Sequence, residues 1–139
     1  MPHGMANYNL AWLLMSGPKE LRDAQAHLPL ARKAAELEPQ SALYLNTLGV
    51  ALCRKGKYTE AFSVLEKSLA ASRGRSDAFD LFFLAMCHHQ LGEPAKAKDC
   101  YDRAVNWVRD QSNIRSEYLT ELTAFQAEAD ALLGHAKAP

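Results

Sequence analysis

Few side chains in this sequence could do chemistry, and their spacing decides what each can do. Cys87, His88 and His89 stand in a row, a thiol beside two imidazoles, and they are the first candidates for a metal site. In a helix, consecutive residues point about 100° apart, so three in a row cannot converge on one ion. A sharper arrangement sets Cys53 opposite His89, which hold equivalent positions in neighbouring copies of an internal repeat. Two ligands without a third make a poor site, so both residues read as groove lining or core and no metal is expected. Asp77 with Asp80, and Asp99 with Asp102, are carboxylates three apart, the spacing that general acid–base work would need. The first pair falls in the first turn of a helix, where anions meet the helix dipole favourably, and the second reads as a solvated face. There is no phosphate-cradling GxxxxGK[ST], GxGxxG, GxSxG or HExxH pattern. No enzyme, no catalytic residue and no cofactor is expected.

Composition narrows the classes further. The chain has 139 residues, 48% apolar and 23% charged, with a formal net charge of zero. Non-specific nucleic-acid binding and binding to an anionic membrane surface both need a surplus of Lys and Arg, so neither is expected. The longest strictly apolar run, Leu81 to Cys87, is far short of the ~20 residues of a membrane span. Met1-Pro2-His3-Gly4 has no charged start and no apolar run behind it, so no secretory leader is expected. Cys53, Cys87 and Cys100 are odd in number, lack CxxC spacing and lie within apolar helical patterns. They read as small hydrophobes in a reduced, cytoplasmic setting.

The elements that carry these residues repeat. Leu45-Asn46-Thr47-Leu48-Gly49 aligns with Leu81-Phe82-Phe83-Leu84-Ala85, and the same offset carries Gly56 onto Gly92, Tyr58 onto Pro94, Ala61 onto Ala97, Leu65 onto Tyr101 and Leu69 onto Val105. Each copy predicts a helix, a glycine turn and a second helix. Gly49 and Ala85 are small where the two helices of one hairpin cross, and Gly56 and Gly92 suit a left-handed helix end. Pro94 suits the first turn of the following helix.

A looser copy precedes these two. Asn9-Leu10-Ala11-Trp12 opens its first helix, and its second is expected to start at Pro29 and close at Leu37-Glu38-Pro39, because proline breaks an established helix. Beyond a polar break at Asp110 to Asn113, Ile114, Tyr118, Leu122, Phe125, Ala129, Leu132 and Leu133 form one apolar stripe, with Arg115, Glu117, Glu121 and Glu128 on the other side. This last helix is expected to cap the stack over Trp107 and Val105. The prediction is an all-α chain of seven helices, a right-handed α-solenoid forming a single domain over 1–139. Repeat 1 covers about 5–39, repeat 2 about 41–73 and repeat 3 about 77–109, and a capping helix covers about 113–133.

This pattern of a Leu-Gly pair, a turn glycine, an alanine and an aromatic resembles the tetratricopeptide repeat, which recurs about every 34 residues. Asn9-Leu10-Ala11-Trp12 and Phe82-Phe83-Leu84-Ala85-Met86 also look like bacterial tetratricopeptide tails of larger signalling proteins. The resemblance implies a protein-interaction module whose first helices line a concave groove for a peptide or helix. By helical phase that groove would present Tyr8, Trp12, Asn46, Val50, Cys53, Phe79, Phe82, Phe83, Met86 and His89, with Arg54 the one cation at its edge. Asn46 would hydrogen-bond a ligand backbone and the apolar residues would bury its side chains. The subgroup that clamps the C-terminal carboxylate of heat-shock chaperones uses Lys, Arg and Asn. The corresponding places here hold Tyr8, Trp12, Thr47, Phe79 and Phe83, so that clamp is not expected. Two other readings stay open: a scaffold that self-associates into a homo-oligomer, and the regulatory tail of a larger signalling enzyme.

Overall fold

A computed structural model describes residues 24–114 and 116–134 of the chain. These residues form six helices and no strand: α1 (Ala24–Leu37), α2 (Ala42–Arg54), α3 (Tyr58–Ser72), α4 (Asp77–Gln90), α5 (Pro94–Asp110) and α6 (Ser116–Leu133). The helix expected around Asn9 to Trp12 lies outside the described residues.

Local chemistry sets the helix ends. Ser41 caps α2, its hydroxyl oxygen accepting from the Tyr44 N–H at 3.3 Å. Gly56 and Gly92, with φ of 88° and 80°, end α2 and α4 in the left-handed conformation. In both cases the next amide reaches back across the turn, Lys57 N–H to Leu52 O at 2.9 Å and Glu93 N–H to His88 O at 2.8 Å. Glycine takes this conformation without a Cβ clash, and the bond satisfies a carbonyl that the helix end leaves free. Pro94 opens α5, as expected. Pro29 does not behave as expected. α1 begins at Ala24 and runs through Pro29. One missing N–H near a helix start leaves a single carbonyl unpaired, which the buried side chains of Leu28, Ala31, Ala34 and Ala35 outweigh by holding the helix on its neighbours.

Successive helices pack as hairpins, α2 on α3 and α4 on α5, and α4 also lies on α3 and on α2. Gly49 marks the crossing of the first hairpin: a Cβ built there would stand 2.5 Å from Leu65 Cγ. Ser68 of α3 ties the same hairpin by donating to Ala42 O at 2.9 Å. α2 and α4 are the inner helices, with every residue from Tyr44 to Cys53 and from Asp80 to His88 buried. α5 is an outer helix that fully buries only Ala97, Cys100 and Ala104. Across its solvent side Lys98 pairs with Asp102 at 2.7 Å and Arg103 with Asp99 at 3.8 Å.

α6 follows the α4–α5 hairpin, but not over Trp107. The indole N–H of Trp107 donates to Gly74 O at 2.8 Å, in the turn between α3 and α4. α6 packs on α4 instead. The physical reason lies in α5, whose outer face is charged and needs no apolar cover. The apolar stripe of α6 therefore seats where apolar surface is left, on the inner helices.

Candidate functional site

The face of α4 that looks away from α3 and α5 carries Phe79, Phe83, Met86 and Gln90, spaced by four, three and four residues along one stripe. α6 lies along this stripe. Phe125 meets Phe83 edge-to-face at 4.7 Å and Phe79 at 6.3 Å, and Tyr118 meets Phe79 at 6.1 Å. Such edge-to-face geometry places the positive rim of one ring on the negative face of the other. At the end of α2, the Arg54 guanidinium lies 5.5 Å from the centre of Phe83 and 5.9 Å from that of Phe125. It donates to both carboxylate oxygens of Glu128, at 2.9 and 3.3 Å. A planar guanidinium can stack on rings and pair with a carboxylate at once, which an ammonium cannot do as well.

Beyond that pair a cleft of about 390 Å³ opens, lined by Cys53 and Arg54 of α2, Tyr58 of α3, Met86 and Gln90 of α4, and Glu128, Ala131 and Leu132 of α6. The Cys53 thiol hydrogen-bonds with that of Cys87, and this contact together with burial pushes the Cys53 pKa up. Cys53 thus faces Cys87, not His89. Among the described residues no group of three His, Cys, Asp or Glu side chains is placed to hold a metal ion. His88 turns to α3, edge-on to Phe62 at 5.1 Å, with Nδ1 2.9 Å from Glu93 Oε1.

The other groove candidates divide. Tyr8 and Trp12 lie outside the described residues. Phe79, Phe83 and Met86 share the α4 stripe, and Cys53, Arg54 and Met86 meet in the cleft. Val50 is buried in the core, and His89 is half-buried outside the cleft lining. Phe82 is fully buried and packs on Tyr101 of α5 at 5.7 Å, so it belongs to the hairpin core. Asn46 is also a correction. Its side-chain amide donates to Phe79 O at 3.1 Å and Asp80 Oδ1 at 2.9 Å, which joins α2 to α4 and leaves it no N–H for a ligand. Asp80 stands in its helix's first turn, as expected, but is only 1% exposed, and burial raises its pKa from 3.8 to about 7 against the lowering effect of Asn46 and Ser68. Arg54 is no free edge cation, and Glu128 turns inward to meet it instead of joining the polar side of α6.

Sequence reading missed Tyr58, Gln90, Glu128, Ala131 and Leu132 as cleft lining. Gln90 completes the Phe79–Phe83–Met86 stripe by simple helical phase, so it was within reach. The other four depend on where α6 lies.

A family model described as Tetratricopeptide repeat matches residues 40–110. No curated protein matches the chain in sequence. Among solved structures, the Yersinia enterocolitica type III secretion translocator chaperone SycD, in an alternative dimer, superposes with a TM-score of 0.69 at 16% identity, covering 94% of each chain. That likeness shows a shared fold. With hairpins α2–α3 and α4–α5 repeating the same crossing and the same glycine-ended first helix, and a matching model across both, the chain belongs to the tetratricopeptide repeat family.

Proposed function

We propose that the chain is a protein-interaction module that takes an apolar or aromatic-bearing segment on the face of its first helices. One observation carries the reading: the Phe79–Phe83–Met86 stripe of α4 and Arg54 of α2 form a surface on which an amphipathic helix already rests. A face that buries Phe125 this way has the chemistry to bury a partner's side chain. Cys53, Arg54, Phe79, Phe83 and Met86 are the residues proposed to contact the partner, with Tyr58 and Gln90 added by the cleft. Three buried free thiols suit a reduced, cytoplasmic setting. The solved neighbour's printed role as a secretion chaperone is compatible with a protein ligand.

The test is a selection of random peptides displayed on phage against the full chain. Selected peptides are expected to share an aromatic or large aliphatic anchor and to lose about tenfold or more in affinity on Met86→Ala, with the helical circular dichroism unchanged. Peptides selected without such an anchor, or indifferent to Met86→Ala, would overturn the reading.

A second reading is self-association. Leu37 and Leu43, flanking the α1–α2 turn, are 45% and 55% exposed, and a second copy covering both would take that apolar surface out of water. Light scattering across a concentration series decides it.

A further inference from the structure

Two thiols and a thioether gather where α2 meets α4. Cys53 and Met86 line the cleft, and the Cys53 thiol is in hydrogen-bond contact with that of Cys87. Neither thiol is in a disulfide, and all three side chains are buried, with Cys87 wholly out of water. A cysteine in a core packs as a small hydrophobe and needs no sulfur neighbour. Here the thiols of two different helices touch, and the cleft of about 390 Å³ leads from solvent to one of them.

Thiolate and thioether sulfur select soft ions, Cu(I) among them. The pair makes a poor zinc site, because zinc takes four ligands in a tetrahedron. Among the described residues no third His, Cys, Asp or Glu joins it. Cu(I), a soft ion of single charge, is satisfied by two thiolates in line. The standard that set Cys53 aside in the sequence, the want of a third ligand, does not apply to such an ion. Arg54 favours the thiolate form of Cys53, while Glu128, with which Arg54 pairs, opposes it.

We propose that Cys53 and Cys87 form a Cu(I) site at the base of the cleft, with the Met86 thioether lining the approach. Binding exchanges protons for metal: both S–H bonds break, two S–Cu bonds form, two protons pass to solvent, and copper stays Cu(I). The loaded centre carries one negative charge, with the Arg54 guanidinium on the same cleft wall. Cys100 of α5 does not line the cleft and takes no part. The site does not rest on the protein-binding reading above, since an ion is held without any partner.

The experiment adds Cu(I), as its acetonitrile complex and without oxygen, to the full chain, and lets the coloured chelator bicinchoninate compete for it. The wild-type chain is expected to retain one Cu(I) and to show a sulfur-to-copper charge-transfer band in the near ultraviolet. Cys53→Ala and Cys87→Ala should each lose more than about a hundredfold in affinity, beyond the 10–100-fold that removing a supporting group typically costs. Cys100→Ala should bind as the wild type does. Circular dichroism checks each fold, and Cys53→Ala, at the cleft wall, carries the test if the Cys87→Ala chain is unfolded. A wild-type chain that yields all its copper to the chelator overturns the proposal. So does an alanine variant of the pair that is folded and binds as tightly as the wild type, or a site lost on Cys100→Ala. A chain that doubles in mass on taking up copper also overturns it, because the ion would then lie between cysteines of two copies. Each of these failures leaves the phage selection as it stands, and indifference of the selected peptides to Met86→Ala leaves the copper titration as it stands.

Discussion

Replacing Gly49 by alanine should destabilise this protein, although alanine is the better helix former. Gly49 lies inside α2, where the exchange gains about 1 kcal/mol in helix propensity. Against this, the new Cβ would stand 2.5 Å from Leu65 Cγ. Carbon atoms rest about 3.5–4.0 Å apart, so the leucine must retreat by about 1 Å. Leu65 is fully buried, and its branch carbon is overlapped along with its Cδ2 methyl, so rotating a methyl does not relieve the overlap. Overpacking of this kind costs about 1–3 kcal/mol, and more where the branch carbon is hit. The net expectation is a loss of about 1–2 kcal/mol, a few degrees in Tm for a chain of this size. Leu65→Ala alone should cost about 2–5 kcal/mol. In that background Gly49→Ala should become neutral or stabilising by up to ~1 kcal/mol, because its methyl enters the vacated space and its propensity gain stands unopposed. Urea unfolding of the four proteins in the cycle, followed by circular dichroism at constant m, measures both effects. A Gly49→Ala chain more stable than wild type, or no coupling between the two sites, would refute the close crossing.

Asp80 and the cysteines give further tests. The pKa of Asp80 is raised from 3.8 to about 7 in the folded chain by burial, with Asp77 adding to the rise and Asn46 and Ser68 opposing it. Between those values the folded state binds a proton that the unfolded state has lost, so stability falls as pH rises through this window and levels off above it. The slope is at most about 1.4 kcal/mol per pH unit, and Asp80→Asn should flatten it in urea midpoints taken at about pH 5 and about pH 8. Cys100 is pushed up to about 11 by burial, and Cys53 is pushed up by its hydrogen bond with Cys87 and by burial. The thiolate is the reactive form, so iodoacetamide at about pH 8 should leave the native chain unmodified over minutes and label all three cysteines once urea unfolds it. Rapid labelling of Cys53 in the native chain would mean that the cleft opens far more often than its packing implies.

The hairpins were legible in the sequence because each of their features is local. Gly56 and Gly92 end helices through their own backbone freedom, Pro94 opens one through its fixed φ, and Gly49 meets Leu65 within one hairpin. The spacing of these residues also carried the family and the all-α class. What failed depended on neighbours distant in the chain. Phase alone put Phe82 and Phe83 on adjacent sides of α4, and only the positions of Tyr101 and Phe125 decided that the first faces α5 and the second faces α6. Asn46 looked like a groove amide until the main chain at Phe79 and the carboxylate of Asp80 came within its reach. The seat of α6 was the largest undetermined quantity. Its stripe announced an apolar face but named no surface, and the answer came from the charged outer side of α5, which left the inner helices as the apolar area still to be covered. An amphipathic helix specifies how much of itself it must bury. Where it does so is decided by the surfaces that the rest of the fold leaves open.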